Sequence, residues 1–447
     1  MFVDHFKTYI KSIIGRISNS DIGKRMVTGA FWQMMGTSIA KFIVLVSGIL
    51  CAHILGKSEY GQFNMVRSTI NMFVVFGTAG MGLTATKYIS EYRKNNKDRI
   101  GSIYLLTNGF AIISGIICAL LIGFLAPYLA EKTLNAPELT TPIRLGALLL
   151  FVTVLNGAQQ GALSGFEDFR SIAINTLLGS IAESVLLLVG GYYWGVTGAV
   201  LGFGAGFVVL YFCNRYSINK RLSENGLNKK IFTVQRADFN LLLSFSLPAA
   251  LSSIMVAPVF WLARTMLVNS SSFEELAVYE AADQWKIIIL FIPGALSQVV
   301  LPVLSSLLGE SVNRYKRVLL YNVAINALVA TILALGVSLF SKQIMSFYGK
   351  DYQDVWPLIL LAISTIPTAI SAVVGLSISS RAKMWVGFLF NLIWGLCVIL
   401  FNYIFLNNGM GAAGLSLAIL CAYTVHTIIQ TIYLMHLLKK SELINIE

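Results

Sequence analysis

Charge is what this sequence lacks most. Asp, Glu, Lys and Arg make up 12% of its 447 residues, against 56% hydrophobic residues, and the mean hydropathy is +0.73. A soluble domain uses about 25% charged residues to cover its surface, so two or three soluble domains are excluded. Histidine is scarce as well, with four residues, which excludes a His-rich metal centre. The five cysteines (Cys51, Cys118, Cys213, Cys397, Cys421) sit far apart in apolar stretches and support neither a disulfide framework nor a metal site. Acids are the rarer charge, giving a formal net charge of +12. That surplus would suit nucleic acid in a soluble protein, but its placement along this chain decides otherwise.

What is there is a series of long apolar runs. They predict an all-α polytopic membrane protein with twelve transmembrane helices, at about 29–55, 62–86, 103–130, 143–163, 172–194, 196–216, 239–266, 278–301, 318–340, 355–379, 385–406 and 411–437. The connections are too short for a folded soluble domain. With the N-terminus placed in the cytoplasm, 24 of the 33 Lys and Arg fall in cytoplasmic segments, four on the opposite face and five inside spans. This asymmetry puts both termini in the cytoplasm and makes a nucleic-acid partner unnecessary. No cleavable signal peptide is expected. Instead Phe2, Phe6, Ile10, Ile13 and Ile17 recur at helical spacing among Lys7, Lys11 and Arg16, the pattern of an amphipathic helix on the inner leaflet over 1–28.

The chain also repeats itself. Gly195-Val196-Thr197-Gly198-Ala199 recurs as Gly411-Ala412-Ala413-Gly414-Leu415, 216 positions later. Glu59 to Phe63 answers Glu275 to Tyr279 at the same offset, and Pro142 answers Pro357 at 215. These matches predict two parallel six-helix bundles, 29–217 and 239–437, around a central cavity. A cytoplasmic linker (218–238) joins them and a cytoplasmic tail (438–447) follows. Two similar halves enclosing a cavity are the architecture of a transporter.

Polar residues inside spans are costly, about 2.5–3.5 kcal/mol for a charge at mid-bilayer, so each needs a reason. Gln33, Thr37 and Lys41 share one face of span one; Asn64, Arg67, Ser68 and Asn71 share one face of span two. Glu280, Asp283 and Gln284 do so on span eight, where Lys286 lies three residues from Asp283 and can pair with it. Span four offers Asn156, Gln159 and Gln160, and span five Thr176, Ser180, Glu183 and Ser184; these stripes serve either a lumen or interhelical packing. Arg144 and Arg264 either face the lumen or snorkel to the external interface. No acid lies on spans one or two to neutralise Lys41 or Arg67. Five basic against three acidic residues within the membrane predict a net positive lumen suited to an anion. Glu183, Glu280 and Asp283 are the candidates for proton coupling. Gly56-Lys57-Ser58 is not a phosphate-binding loop, because Cys51 stands where the first glycine is required. The chain is expected to be no enzyme and to need no cofactor.

Leu55-Gly56-Lys57-Ser58-Glu59-Tyr60-Gly61 resembles the LG-x-x-x-YG signature of bacterial polysaccharide flippases. Gly80-Met81-Gly82-Leu83, Tyr88-Ile89-Ser90-Glu91, Ser246-Leu247-Pro248 and Leu301-Pro302-Val303-Leu304-Ser305 resemble other segments of the same family. The resemblance is to the polysaccharide-transporter (O-antigen flippase-like) branch of the multidrug/oligosaccharidyl-lipid/polysaccharide exporter superfamily. It implies flipping of undecaprenyl-pyrophosphate-linked oligosaccharide across the bacterial inner membrane for O-antigen or related surface polysaccharide, including lipopolysaccharide. It further implies Lys41, Arg67, Lys286 and Arg264 as pyrophosphate ligands. Membrane lipid, a polysaccharide polymerase and a chain-length regulator are the implied partners. A multidrug antiporter of the same superfamily and a non-transporting scaffold of the assembly machinery are the alternatives. The antiporter would be expected to carry an acid on span one, where this chain has Lys41.

Overall fold

The computed structural model describes residues 21–227, 254–306, 312–381 and 383–444. The expected inner-leaflet helix falls mostly outside these residues, as do 228–238 of the expected linker and 239–253 of the seventh expected span. Helices dominate, and no strand occurs among the described residues. In chain order they are α1 (Asp21–Thr78), α2 (Met81–Asn95), α3 (Asp98–Tyr128), α4 (Thr140–Gly165), α5 (Phe169–Glu224), α6 (Val256–Ser270), α7 (Phe273–Ile289), α8 (Phe291–Ser306), α9 (Val312–Leu339), α10 (Ser341–Ser346), α11 (Trp356–Ser380), α12 (Met384–Asn407) and α13 (Gly411–Ile444). Eight helices among the described residues are long and apolar enough to cross a membrane. Their outward faces carry large apolar side chains that water would not tolerate, such as Phe124 (84% exposed) and Leu339 (78%).

Two of these helices are far longer than the roughly 20 residues a bilayer needs. α1 has 58 residues and α5 has 56, and each contains a break. In α1 the break is Gly56 (φ 75°), a backbone conformation glycine adopts without a Cβ clash. In α5 it is Trp194–Gly195, with Gly195 at φ 54°. Beyond that break α5 returns along itself. A Cβ on Gly190 would meet the Gly198 carbonyl oxygen at 2.2 Å, one on Gly202 would meet that of Leu186 at 2.2 Å, and one on Gly206 would meet the Glu183 Cβ at 2.3 Å. One partner's number rises as the other's falls, which is antiparallel register. Glycines at every fourth position let the two limbs approach backbone to backbone. The expected boundary at Gly195 is therefore a hairpin.

Two expected spans are interrupted. The second (62–86) breaks where Ala79 and Gly80 take left-handed conformations, φ 40° and 72°, and α2 starts in a new direction. The eighth (278–301) divides at Leu290 between α7 and α8. Pro293 has no backbone N–H with which to continue the helical ladder from Ile289.

Contacts recur at the offsets that the sequence repeats. The Glu275 carboxylate accepts a hydrogen bond from Ala412 N (2.7 Å) at the start of α13, beside Gly411. The Glu59 carboxylate lies in the same way beside Gly195, at the start of the second α5 limb. Asn156 on α4 accepts from Asn214 on α5 (3.3 Å), and Ser371 on α11 donates to Gln430 on α13 (3.0 Å). The part before residue 228 and the part after residue 253 meet where α1 packs against α6 and α7. His53 Nε2 bonds Phe347 O (2.8 Å), Asn269 donates to Thr133 O (2.9 Å), and the Gly61 backbone sits against that of Phe273. These contacts gather at the end of the molecule where α1 breaks at Gly56.

Candidate functional site

α7 begins at Ser272, whose hydroxyl caps the backbone N–H of Glu275 (3.3 Å). From that fixed start, Glu280, Asp283 and Gln284 fall on one face and turn toward α1 and α6. The Arg264 guanidinium, from α6, donates through Nε to Glu280 Oε1 and through Nη2 to Asp283 Oδ2 (3.4 Å). Lys286 Nζ donates to Asp283 Oδ1 (3.0 Å), the pairing that their spacing predicts. From α1, Arg67 Nη2 reaches Glu280 Oε2 at 3.5 Å, across the two parts of the chain. Glu280 and Asp283 thus join three cations in one cluster whose acids are almost fully buried. Aromatic faces complete it: Arg264 lies between the Phe260 and Tyr279 rings (5.6 and 5.3 Å), and Lys286 lies over Phe260 (5.1 Å).

The cluster forms one wall of a cavity of about 660 Å³ between the two parts. Arg67, Arg264, Glu280, Asp283 and Gln284 line it together with Asn64, Ser68 and Asn71, while Glu183 comes from α5. Asn64 gives its amide N–H to Tyr60 O (2.9 Å), and its Oδ1 is buried without a partner among the described residues. Gln284 donates to the Tyr60 hydroxyl and accepts from that of Tyr348 (3.2 Å). Trp261 Nε1 donates to Thr69 Oγ1 (3.0 Å), a second polar link between α6 and α1.

Other residues expected at the site stand elsewhere. Lys41 lies apart from the Arg67 cluster, in two smaller cavities of about 300 and 260 Å³ between α1 and α7–α8. Gln33, Thr37, Thr176 and Ser180 share them, and Lys41 lies over the Phe291 ring (5.0 Å). Asn156 is packed inside the first part, donating to Phe207 O (2.8 Å) and accepting from Asn214. Gln159 is fully buried, with no hydrogen-bond partner among the described residues, and Gln160 is half-buried on the same helix. Arg144 is exposed on α4, whereas Arg264 faces the cavity and does not snorkel.

Arg67 finds its acidic neighbour, Glu280, not on spans one or two but on a helix more than two hundred residues away. One expectation needs correction. The cavity has no surplus of positive charge. Arg67 and Arg264, with Lys286 behind them, face Glu183, Glu280 and Asp283, because Lys41 and Arg144 lie elsewhere. Sequence reasoning also missed Tyr60, Trp261 and the aromatic pair around Arg264; only Phe260, four residues before Arg264, carried a signal.

The family described as "Polysaccharide biosynthesis protein" matches residues 26–308, which include the whole cavity wall. The chain belongs to that family. This family member is 24% identical over 414 residues to the EPS I polysaccharide export inner membrane protein EpsE of Ralstonia solanacearum, covering 90% of this chain and 92% of the relative. It is 22% identical over 289 residues to the lipid III flippase of Escherichia coli strain K12, covering 63% and 68%. Its fold is similar to that of a solved structure of a multidrug-resistance MATE family transporter of the MOP superfamily in the inward-facing conformation (TM-score 0.79, 17% identity, 92% of this chain and 98% of the other).

Proposed function

We propose that this protein is a flippase for undecaprenyl-pyrophosphate-linked oligosaccharide, moving it from the cytoplasmic to the external leaflet of the bacterial inner membrane by alternating access. The observation that carries this reading is the cavity between the two parts of the chain, with Arg67 and Arg264 on its wall. Guanidinium forks match the oxygen geometry of phosphate, and a polar lumen lets a sugar cross the hydrocarbon layer without losing its hydrogen bonds. The Lys41 cavities continue from it between α1 and α7–α8, which leaves a polyprenyl tail room to remain in lipid. Twelve spans in two six-helix repeats belong to this proposal, and the paired contacts of Glu59 with Gly195 and Glu275 with Gly411 support it. So do cytoplasmic termini, which the positive-inside count favours.

The surface polysaccharide served, whether O-antigen or an exopolysaccharide, and the polymerase and chain-length regulator as partners, rest on the family alone. A membrane potential of about 100 mV, negative inside, makes outward movement of a dianion downhill by roughly 5 kcal/mol. The antiporter reading is disfavoured because Glu280 and Asp283 are committed to cations. The test is deletion of the gene, followed by complementation with Arg67→Gln or Arg264→Gln at matched protein levels. Lipid-linked oligosaccharide should accumulate on the inner leaflet and surface glycan should fall. Normal glycan from both variants rejects the assignment.

A further inference from the structure

We propose that the Glu280 carboxylate is the resident counter-ion of the Arg67–Arg264 seat and that a diphosphate group displaces it from Arg67. Anion binding and the Arg67–Glu280 contact between α1 and α7 then exclude each other. This rests on the reading of the cavity as a diphosphate site and states how that site is regulated.

The two sides of Glu280 are unequal. Its Oε1 takes a close hydrogen bond from Arg264 Nε, on the neighbouring α6, and its Oε2 faces Arg67 Nη2 at 3.5 Å, the outer limit of a hydrogen bond. Arg67 is also the most open member of the cluster, at 24% side-chain exposure against 12% for Arg264 and 8% for Lys286. An incoming anion therefore meets Arg67 first, and the contact it must break is the longest one. Glu280 does not become an unpaired buried charge in the exchange, since Arg264 keeps it.

The ion pairs require some such exchange. Arg67 and Arg264 share Glu280, and Arg264 and Lys286 share Asp283, so a diphosphate meeting this cluster finds no unpaired cation in it until one is released. Asp283 is poorly placed to yield one, because Lys286 and Arg264 hold it from two sides. Glu183 forms no ion pair among the described residues, so moving it frees nothing. Glu280 at Arg67 is the remaining candidate. Because Arg67 stands on α1 and Glu280 on α7, its displacement also removes an attraction between the two parts of the chain. A diphosphate would thereby loosen a contact between α1 and α7.

The test uses the full chain in detergent micelles, with farnesyl pyrophosphate and inorganic pyrophosphate as separate probes and Kd read by calorimetry. Glu280→Gln should bind farnesyl pyrophosphate about tenfold more tightly than wild type, and Arg67→Gln more weakly. In the Arg67→Gln background the gain from Glu280→Gln should shrink to twofold or less, since no Arg67 remains to be released. A gain that persists there points to through-space charge alone and overturns the proposal, as does unchanged or weaker binding by Glu280→Gln. If Glu280→Gln does not elute as folded protein, Glu280→Asp takes its place. One methylene shorter, it withdraws from Arg67 and should bind about threefold more tightly; unchanged affinity overturns the proposal. Equal tightening for both probes assigns the effect to the diphosphate itself, and tightening for the lipid probe alone assigns it to the lipid headgroup; either supports the exchange. Failure of wild type to bind either probe removes the cavity reading and this inference together. Arg67-dependent binding without tightening in Glu280→Gln removes the inference only.

Discussion

Asp283 and Lys286 look like an ordinary i, i+3 ion pair, and on that basis the loss of either partner should cost the same. The structure predicts otherwise, because Asp283 also receives Arg264. The two contacts are similar in length, 3.0 Å to Lys286 and 3.4 Å to Arg264. At an effective dielectric of about 20, Coulomb attraction at these distances is roughly 5 kcal/mol for each, before desolvation. In Lys286→Gln the Asp283 carboxylate keeps one of its two cations, so the loss should resemble that of a single charged hydrogen bond, about 1.5–3 kcal/mol. In Asp283→Asn two buried cations lose their shared anion, and the cost should approach the ~3–5 kcal/mol of a broken buried pair. The double variant should recover only part of the Asp283→Asn loss, because Arg264 remains short of one acceptor. The assay is unfolding of the purified protein in nanodiscs, with the four members of the cycle compared side by side. Equal losses in the two single variants, or a greater loss in Lys286→Gln, would refute the idea that Arg264 shares the load.

Close packing of the α5 hairpin predicts that Gly202→Val abolishes folded protein, since a Cβ there meets the Leu186 backbone, while Gly109→Ala, with open space, leaves yield unchanged; yields by size exclusion check both. Burial alone would raise the Asp168 carboxyl at the start of α5, but hydrogen bonds from Arg221 and Ser171 hold it below its ordinary 3.8. A depressed carboxylate stabilises above the unfolded pKa and loses its effect as pH falls through the folded one. The stability difference between wild type and Asp168→Asn should therefore be constant from pH 5 upward and shrink below about pH 4; a difference that grows on acidification contradicts the pairing. A reporter active only in the cytoplasm should work when fused after Lys94, Asn225 or Lys439 and be silent after Asn135 or Ser271. The reverse at any two sites defeats the proposed orientation.

Much of the site could be read from periodicity, and its limits are physical. The faces carrying Asn64, Arg67 and Asn71, and Glu280, Asp283 and Gln284, follow from the 3.6-residue repeat, and both line one cavity. Local pairing was legible too, since Asp283 and Lys286 are neighbours on any helix. Which face meets which was not legible. A helical period places Arg67 on a stripe but carries no information about the helix opposite, so Glu280 could not be assigned to it. The uncharged stripe on α4 failed for another reason. Asn156 suits packing and lumen equally well by type, and only the return of α5 at Gly195, which brings Asn214 alongside, decides for packing. Breaks at Gly80 and before Pro293 were written in the residues themselves, yet hydropathy ran smoothly through both.

The repeat offset gives the charge cluster a further meaning. Glu59 and Glu275 are 216 positions apart and lie beside Gly195 and Gly411. The same offset relates Asn64 to Glu280 and Arg67 to Asp283. Under the two-repeat reading these are equivalent positions on α1 and α7, brought face to face about the axis between the halves. A copy of the α7 acids on α1 would place an aspartate at position 67 against Glu280, like charge against like in a low-dielectric wall, at a cost of several kcal/mol. Arginine on one copy and carboxylates on the other turn that repulsion into the Arg67–Glu280 attraction. On the same reading, carboxylates far from the axis are under no such pressure to differ, and Glu59 and Glu275 are both glutamate. On the two-repeat proposal, residues near the axis meet the neighbours of their own counterparts, so this is where two such halves must differ, and it is where the cavity lies.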